Sequence, residues 1–379
     1  MVDIKIQDRE KSIAIKKRIT DFYENKPIDR LPFMFDVARY KDWSLAGRNE
    51  IVKTAARAIK NHDFDLNEQL KNCRQKLESK FEDDTIFGLG CFTGVGTIAS
   101  AFGCPTKFFK DKLPWTEHVI EDAGEIIHLK PNIGKAELFN LALEKAFYFR
   151  EKTGVDLPIK LPDIQGPVDT AGIIMKDSSL FEAFYTHPKE IHLLMKMVTE
   201  TLIKMVRIFK EKVTNLFCFS HGFWLPYGIH LSDDFLAVLS PRIYEEFVRP
   251  YNEIIAKEFA GLFLHSCGNY LHQVPNLLTT KELMGVHFHE FSIKKMVEKT
   301  QDKIVLAAGF VENPYLNFKE LSLCTEEELI RHSWVDLGKL ERLQTKKLIF
   351  LGSCFEEDRA DEYYQKMLSS LRKMAGRVE

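Results

Sequence analysis

Two short motifs far apart in the chain carry the residue types of a zinc site. His265 and Cys267 lie in His-Ser-Cys-Gly-Asn, and Cys354 ends Leu-Gly-Ser-Cys. Each motif follows a short apolar run that is typical of a buried strand. One imidazole and two thiolates supply three of the four ligands that zinc usually takes, and catalytic zinc sites leave the fourth position open. The segment between Cys267 and Cys354 is far too long for a zinc finger, so the fold would have to gather these ligands.

The combination of two thiolates with one imidazole indicates the chemistry of such a site. Zinc held by these ligands is less electron-poor than zinc held by three histidines, so it activates water weakly. It is better suited to binding a substrate thiol, because coordination deprotonates the thiol to a nucleophile at neutral pH. The motifs therefore predict transfer of an alkyl group to or from sulfur. The alternative for His265 and Cys267 is a strand-end histidine beside a small core thiol.

Three further polar residues follow predicted strands and are candidates for catalysis or binding. Glu290 could fill the fourth zinc position until a thiol displaces it, or accept a hydrogen bond from His265. Its alternative role is to open the next helix. Asp163 and Gln165, in Asp-Ile-Gln-Gly-Pro, place a carboxylate and an amide before a turn, where they could hold a polar substrate. We predict a catalytic role for Asp163 and Glu290 and a cofactor-binding role for Gln165.

A long predicted loop, residues 221–234, is rich in aromatic and acidic side chains. His221 follows the fourth predicted strand and is a candidate catalytic residue. Tyr227, Asp233 and Asp234 are candidates for binding a cofactor, because such a loop could cover a flat ligand or a docking partner. The alternative is that the aromatic side chains only bury the loop itself.

The elements that position these residues alternate in the manner of repeated βα units. Short apolar runs separated by segments of helical period predict strands at residues 31–36, 86–91, 158–163, 216–220, 262–266, 284–289, 304–308 and 348–353. We predict an α/β fold, a single (β/α)8 TIM barrel at residues 31–379 preceded by an N-terminal helical extension at residues 1–30. The active site of such a barrel lies at the C-terminal ends of its strands. A doubly wound sheet is the alternative, but residues 36–40 lack its glycine-rich phosphate turn.

Composition excludes several classes of partner. The formal net charge of −2 and the pI near 6.7 give no electrostatic basis for binding nucleic acid or an anionic membrane. We find no apolar run that could span a bilayer, and the charged N-terminus is unlike a signal peptide, so we expect a cytoplasmic protein. Seven cysteines, an odd number, favour free thiols or metal ligands over a disulfide framework. We expect either a monomer or a homodimer.

Four motifs resemble those of the uroporphyrinogen decarboxylase superfamily, and within it the corrinoid-dependent methyltransferase branch. They are an Asp-Arg-x-Pro opening, a Gln-Gly-Pro turn, the helix before the fifth strand and the motif after that strand, at residues 26–32, 164–167, 240–251 and 265–269. The set His265, Cys267 and Cys354 resembles the zinc ligands of methylcobalamin:coenzyme M methyltransferases. The resemblance implies a (β/α)8 barrel whose zinc activates a thiol, such as coenzyme M. That thiol would exchange a methyl group with a corrinoid carried by a small partner protein.

Two features narrow the reaction within the superfamily. Residues 37–41 do not reproduce the arginine-rich motif with which the decarboxylases bind substrate carboxylates, so tetrapyrrole decarboxylation is not expected. Some related methyltransferases use tetrahydrofolate and lack the zinc set, so its presence favours a thiol. The preferred hypothesis is a zinc-dependent methyltransferase acting between methylcobalamin, or a corrinoid protein, and a thiol. The alternatives are a tetrahydrofolate methyltransferase or decarboxylase-like enzyme with Asp163 as polar anchor, and a non-catalytic zinc protein that binds a corrinoid carrier.

Overall fold

Short apolar segments form the strands at the centre of the protein. The computed structural model describes residues 9–37, 45–155, 157–213, 216–217, 219–220, 223–288, 293–308, 337–354 and 357–376. The strands within these ranges are β1 Phe33–Val37, β2 Leu89–Gly90, β3 Thr106–Lys107, β4 Trp115–Thr116, β5 Ile159–Lys160, β6 Leu216–Phe217, β7 Phe219–Ser220, β8 Phe223–Trp224, β9 Ile229–Ser232, β10 Leu262–His265, β11 Leu283–His287, β12 Val305–Ala308 and β13 Leu348–Cys354. Every predicted strand overlaps at least one of them.

Nine of the described strands run parallel in two sheets. One sheet has the order β1-β13-β12-β11-β10-β9, and the other has the order β2-β5-β6. All residues of β10 and β12 are buried, as expected for parallel strands with helices on their outer face. Because the strands are parallel, their C-terminal ends lie at one edge of each sheet. The predicted α/β class is therefore observed.

Hydrogen bonds at both edges of the six-stranded sheet lead to segments that flank the three-stranded sheet. At β1, the Phe33 N–H donates to Oδ2 of Asp84 at 2.9 Å, and Asp84 lies shortly before β2 in the chain. At β9, the Ser232 carbonyl oxygen accepts a 2.6 Å hydrogen bond from the N–H of Gly166, which lies shortly after β5 in the chain. These bonds bring the two sheets side by side, so that the residues after β5 meet the residues after β9.

The helices separate successive strands along most of the chain. They are α1 Arg9–Tyr23, α2 Leu45–Lys60, α3 His62–Glu78, α4 Glu137–Thr153, α5 Pro167–Ile174, α6 Asp177–Thr186, α7 Pro188–Lys212, α8 Pro241–Ile243, α9 Arg249–Phe259, α10 Val274–Thr279, α11 Ile293–Thr300, α12 Leu337–Arg342 and α13 Ala360–Gly376. The predicted leading helix is α1, whereas the domain boundary at residue 30 stays a prediction. Among the helices in the described ranges, none has the length and apolar character needed to cross a membrane.

One predicted loop is partly wrong. Residues Ile229–Ser232 were expected within a long loop, but they form β9, which pairs with β10 in parallel. The reason is that the apolar Ile229 and Leu231 alternate with the polar His230 and Ser232, as in a strand, and both apolar side chains are completely buried. The residues of the predicted loop consequently lie at opposite ends of a strand.

Candidate metal centre

The motif predicted to bind zinc follows the C-terminal end of β10. His265 is the last residue of this buried strand and is itself 7% exposed, while Cys267 is half-buried. The two side chains project in the same direction, and His265 Nε2 lies 3.3 Å from Cys267 Sγ. An imidazole nitrogen and a thiol sulfur are thus already adjacent without any movement of the backbone.

A carboxylate from the neighbouring strand joins this pair. Because Ser232 of β9 lies opposite His265 of β10, the residues that follow both strands meet. The Cys267 N–H donates to Oδ1 of Asp234 at 2.6 Å. Within the described ranges, Asp234, His265 and Cys267 are the group of three potential metal donors whose ligand atoms all lie within 4.8 Å of one another.

This donor group fits a zinc ion. Zinc in proteins takes imidazole nitrogen, thiolate sulfur and carboxylate oxygen ligands, and the three side chains offer one of each. His265 is buried, Cys267 is half-buried and Asp234 is exposed, so the group is anchored on one side and open to solvent on the other. Such an arrangement leaves room for an exogenous ligand.

A second carboxylate, Asp169 in the first turn of α5, holds the backbone of Asp234 in place. Asp169 accepts hydrogen bonds from the N–H groups of Asp234, at 2.6 Å, and Phe235, at 3.0 Å. Burial, and then the nearby charge of Asp233, raises the pKa of Asp169 well above its usual range. The two hydrogen bonds fix the turn from which Asp234 projects toward Cys267.

Asp233 lies behind this turn and is completely buried. Its Oδ2 accepts a 3.0 Å hydrogen bond from Asn252, and burial raises the pKa of Asp233 to about 7. A Cβ at Gly166 would lie only 3.2 Å from the Asp233 carboxyl group. Glycine in the Gln-Gly-Pro turn therefore permits the close approach of α5 to the residues after β9.

Asp163 and Gln165 form a polar pair beside the donor group. Gln165 donates to Oδ2 of Asp163 at 3.0 Å, and the Ser232 hydroxyl donates to Oδ1 at 3.3 Å. Burial, with a contribution from the charge of Asp234, raises the pKa of Asp163, although the two hydrogen bonds oppose the shift. Asp163 therefore lies within electrostatic range of Asp234, and the predicted roles of Asp163 and Gln165 stay predictions.

A cleft with a volume of about 580 Å³ opens next to these carboxylates. Gln165, Asp169 and Asp234 contribute polar groups to its wall. The remaining wall combines apolar residues with further polar and charged ones, including Val95, Pro114, Trp115, Ile173 and Phe235 with Thr116, His118, Lys176, Asp177 and Ser178. The cleft thus has the mixed lining expected of a small-molecule site, and one donor of the metal group is part of it.

Comparison with known proteins assigns this architecture. The sequence profile of Uroporphyrinogen decarboxylase (URO-D) matches residues 15–316 of the chain. The chain belongs to the uroporphyrinogen decarboxylase family. None of the curated proteins compared with it matches in sequence. A solved structure described as a methyltransferase from Methanosarcina mazei is similar, with 15% sequence identity and a TM-score of 0.60, over 94% of this chain and 97% of that chain. At this identity the likeness concerns the fold, and the (β/α)8 barrel of the family confirms the predicted fold class.

Two other predicted site residues of this uroporphyrinogen decarboxylase family member, Tyr227 and Cys354, are not part of the donor group. Tyr227 precedes β9, and its ring packs against Tyr23 of α1 at 5.9 Å, so it is at the opposite end of the strand from Asp234. Cys354, at the end of β13, is 2% exposed and does not belong to the donor group. Burial, and then the charge of Cys354, raises the pKa of Tyr363 in α13. His221 and Glu290 lie outside the described residues.

Asp169 belongs to the site but is not among the residues predicted from the sequence. Its signal was available, because it follows the Gln-Gly-Pro turn of the family by two residues and opens a helix. The prediction for Asp234 was of a cofactor-binding role, and its place among the metal donors depends on the pairing of β9 with β10. The metal-binding roles of His265, Cys267 and Cys354 stay predictions.

Proposed function

We propose that the protein is a zinc-dependent methyltransferase that moves a methyl group between a corrinoid and a small thiol such as coenzyme M. The observation that carries the proposal is the convergence of Asp234, His265 and Cys267 beside a substrate-sized cleft. Membership of the uroporphyrinogen decarboxylase family and the fold shared with a methyltransferase also support it. A corrinoid protein is the proposed partner, as the sequence resemblance implies.

His265 and Cys267 would hold the metal, with Asp234 as an oxygen donor. Cys354 is the further thiolate predicted from the sequence. It ends β13, which belongs to the same six-stranded parallel sheet as β10. Zinc bound by this set would lower the pKa of a coordinated substrate thiol and supply a nucleophile at neutral pH.

The protein's own residues would orient the substrates. Asp169 keeps Asp234 at the cleft through two backbone hydrogen bonds. Asp163 and Gln165 present a carboxyl group and an amide on the same side as Ser232. Apolar residues such as Trp115 and Pro114 would give one wall of the cleft an apolar surface for the substrate. Positioning of this kind accounts for a large part of the rate when the leaving group is good.

The proposed reaction balances without an additional oxidant or reductant. A bond forms between the thiol sulfur and the methyl carbon while the cobalt–carbon bond of methylcobalamin breaks. The electron pair of the broken bond stays on cobalt, giving cob(I)alamin, and the thiol proton is released. The reverse direction starts from the methyl thioether and cob(I)alamin.

The test is methylation of a panel of thiols by methylcobalamin, followed through the absorbance change of the corrinoid. We expect zinc-dependent turnover in the purified protein. In Cys267→Ser, turnover should fall by more than the ~10–100-fold that is typical when a residue next to a metal ligand is changed. Cys73→Ser is the matched control, because Cys73 is also half-buried and lies in α3, away from the donor group. Methylation of tetrahydrofolate but of no thiol would support the folate alternative. Zinc binding without any methyl transfer would support a non-catalytic role.

A further inference from the structure

Two histidines on neighbouring strands contact each other directly at the metal centre. His287 of β11 is the register partner of His265 of β10. The side chains are 6% and 7% exposed, and their rings lie 4.9 Å apart at an angle of 34°. The two Nδ1 atoms are 2.8 Å apart, a distance typical of a hydrogen bond.

The chemistry of the proposed metal site determines the direction of this hydrogen bond. His265 directs Nε2 toward Cys267, at 3.3 Å, so Nε2 is the nitrogen placed to bind a metal. A neutral imidazole that binds a metal through Nε2 carries its proton on Nδ1. His265 is then the donor, and His287 must accept with an unprotonated Nδ1.

The backbone around His287 keeps its ring in this position. The Tyr270 hydroxyl donates to the His287 carbonyl oxygen at 3.0 Å, and Tyr270 is completely buried. Two residues before His287, a Cβ at Gly285 would lie only 2.4 Å from the Val305 carbonyl oxygen. The close packing of β11 on β12 at this glycine holds β11 in place two residues before His287.

We propose that His287 is a positioning residue for the metal site and acts through His265. By accepting the hydrogen bond from the Nδ1–H group of His265, it selects the tautomer of His265 and directs Nε2 toward Cys267. Outer partners of this kind raise metal affinity because the ligand no longer has to be ordered when the metal binds. The inference rests on the proposed zinc site and adds to it a residue that touches neither metal nor substrate.

The experiment measures zinc affinity by competition with a chromophoric chelator, and the absorption spectrum of the cobalt(II)-substituted protein. We expect His287→Leu, which has no acceptor, to bind zinc about 10–100-fold more weakly than the wild type. His287→Asn places an amide oxygen close to the original Nδ1 position and should recover most of the affinity. His287→Gln carries the same amide one bond further out and should recover less. The cobalt spectrum should change in the leucine and glutamine variants.

His192→Leu is the matched control for the loss of a histidine hydrogen bond. His192 lies in α7, and its Nδ1 is 3.0 Å from the Tyr251 hydroxyl, so its replacement should leave zinc affinity unchanged. Wild-type affinity in His287→Leu would overturn the inference. If that variant does not fold, equal affinities in the asparagine and glutamine variants would overturn it. A wild-type protein that binds no zinc would overturn the proposed function as well, so the two failures are distinguishable.

Discussion

The backbone N–H of Cys267 donates a 2.6 Å hydrogen bond to Oδ1 of Asp234, joining the residues that follow two adjacent strands. Asp234 therefore has two separable roles, a structural role toward the Cys267 backbone and a proposed role as a metal ligand. Substitutions that remove one role or both distinguish them.

Asp234→Asn keeps an oxygen acceptor for the Cys267 N–H but removes the charge of the proposed ligand. We expect it to weaken zinc binding by at least about tenfold while leaving the metal-free protein as stable as the wild type. Asp234→Ala removes both interactions and should also lower the free energy of unfolding by about 1 kcal/mol. Chelator competition and urea unfolding in excess chelator measure the two effects. Wild-type zinc affinity in Asp234→Asn would restrict Asp234 to its structural role.

Cysteine reactivity should separate the proposed ligand from the core thiols. Burial raises the pKa of Cys91 and of Cys104 to about 12, so at pH 8 only about one in ten thousand of these thiols is ionised. We expect iodoacetamide at pH 8 to leave both unmodified and to modify the half-buried Cys267 in chelator-treated protein. Added zinc should protect Cys267. Peptide mass spectrometry measures each site, and modification of Cys267 at the same rate with and without zinc would count against its role as a ligand.

The positions of some site residues follow from local sequence and those of others do not. His265 and Cys267 are two residues apart at a strand end, so their proximity depends only on short-range geometry. The role of Asp234 depends on β9, whose apolar and polar residues alternate over only four positions, so that the segment is easily taken for a loop. Asp169 reaches Asp234 only because two sheets meet. Such contacts are set by tertiary packing, which a single sequence does not specify.

The same distinction applies to the fold. The alternation of apolar runs and helical segments is a local pattern, and it predicted the parallel α/β architecture. The pairing on the free side of β1 was not predictable from this pattern. There the Asp84 side chain accepts a hydrogen bond from the Phe33 N–H and so replaces part of the usual pairing between strands. The sequence marks Asp84 only as the last of three successive acidic residues.

The buried Asp233 predicts a pH dependence of stability. Burial raises the pKa of Asp233 to about 7 in the folded protein, above the usual value of 3.8. The folded state therefore binds this proton more strongly than the unfolded state does. The contribution of Asp233 to the free energy of unfolding is fully present below pH 3.8 and is lost as the pH rises through about 7. Asp233→Asn cannot ionise. We expect its free energy of unfolding relative to the wild type to increase from pH 4 to pH 8, by about 4 kcal/mol at most.

Urea unfolding across this pH range, in excess chelator, measures the difference for Asp233→Asn. Asp29→Asn is the control. Partial burial raises the pKa of Asp29, but hydrogen bonds, chiefly with Arg18, and the nearby positive charges together lower it by more, so the pKa lies below its usual value. Asp29 is therefore ionised from about pH 5 upward, and its variant should show a constant difference there. A constant difference for Asp233→Asn as well would contradict the raised pKa.

The Asp-Arg-x-Pro motif of the family has a structural role that predicts a large loss of stability. Asp84 is completely buried and pairs with Arg30 of this motif, which is 8% exposed, and with Arg18 of α1. Asp84→Asn would leave a buried guanidinium without its counter-charge, which typically costs about 3–5 kcal/mol. Asp29→Asn is the matched control, because Asp29 pairs with the same Arg18 but its side chain is 60% exposed. A surface pair of this kind contributes about 0–1 kcal/mol. Urea unfolding measures both variants, and equal losses would show that the buried pair is no more important than the exposed one.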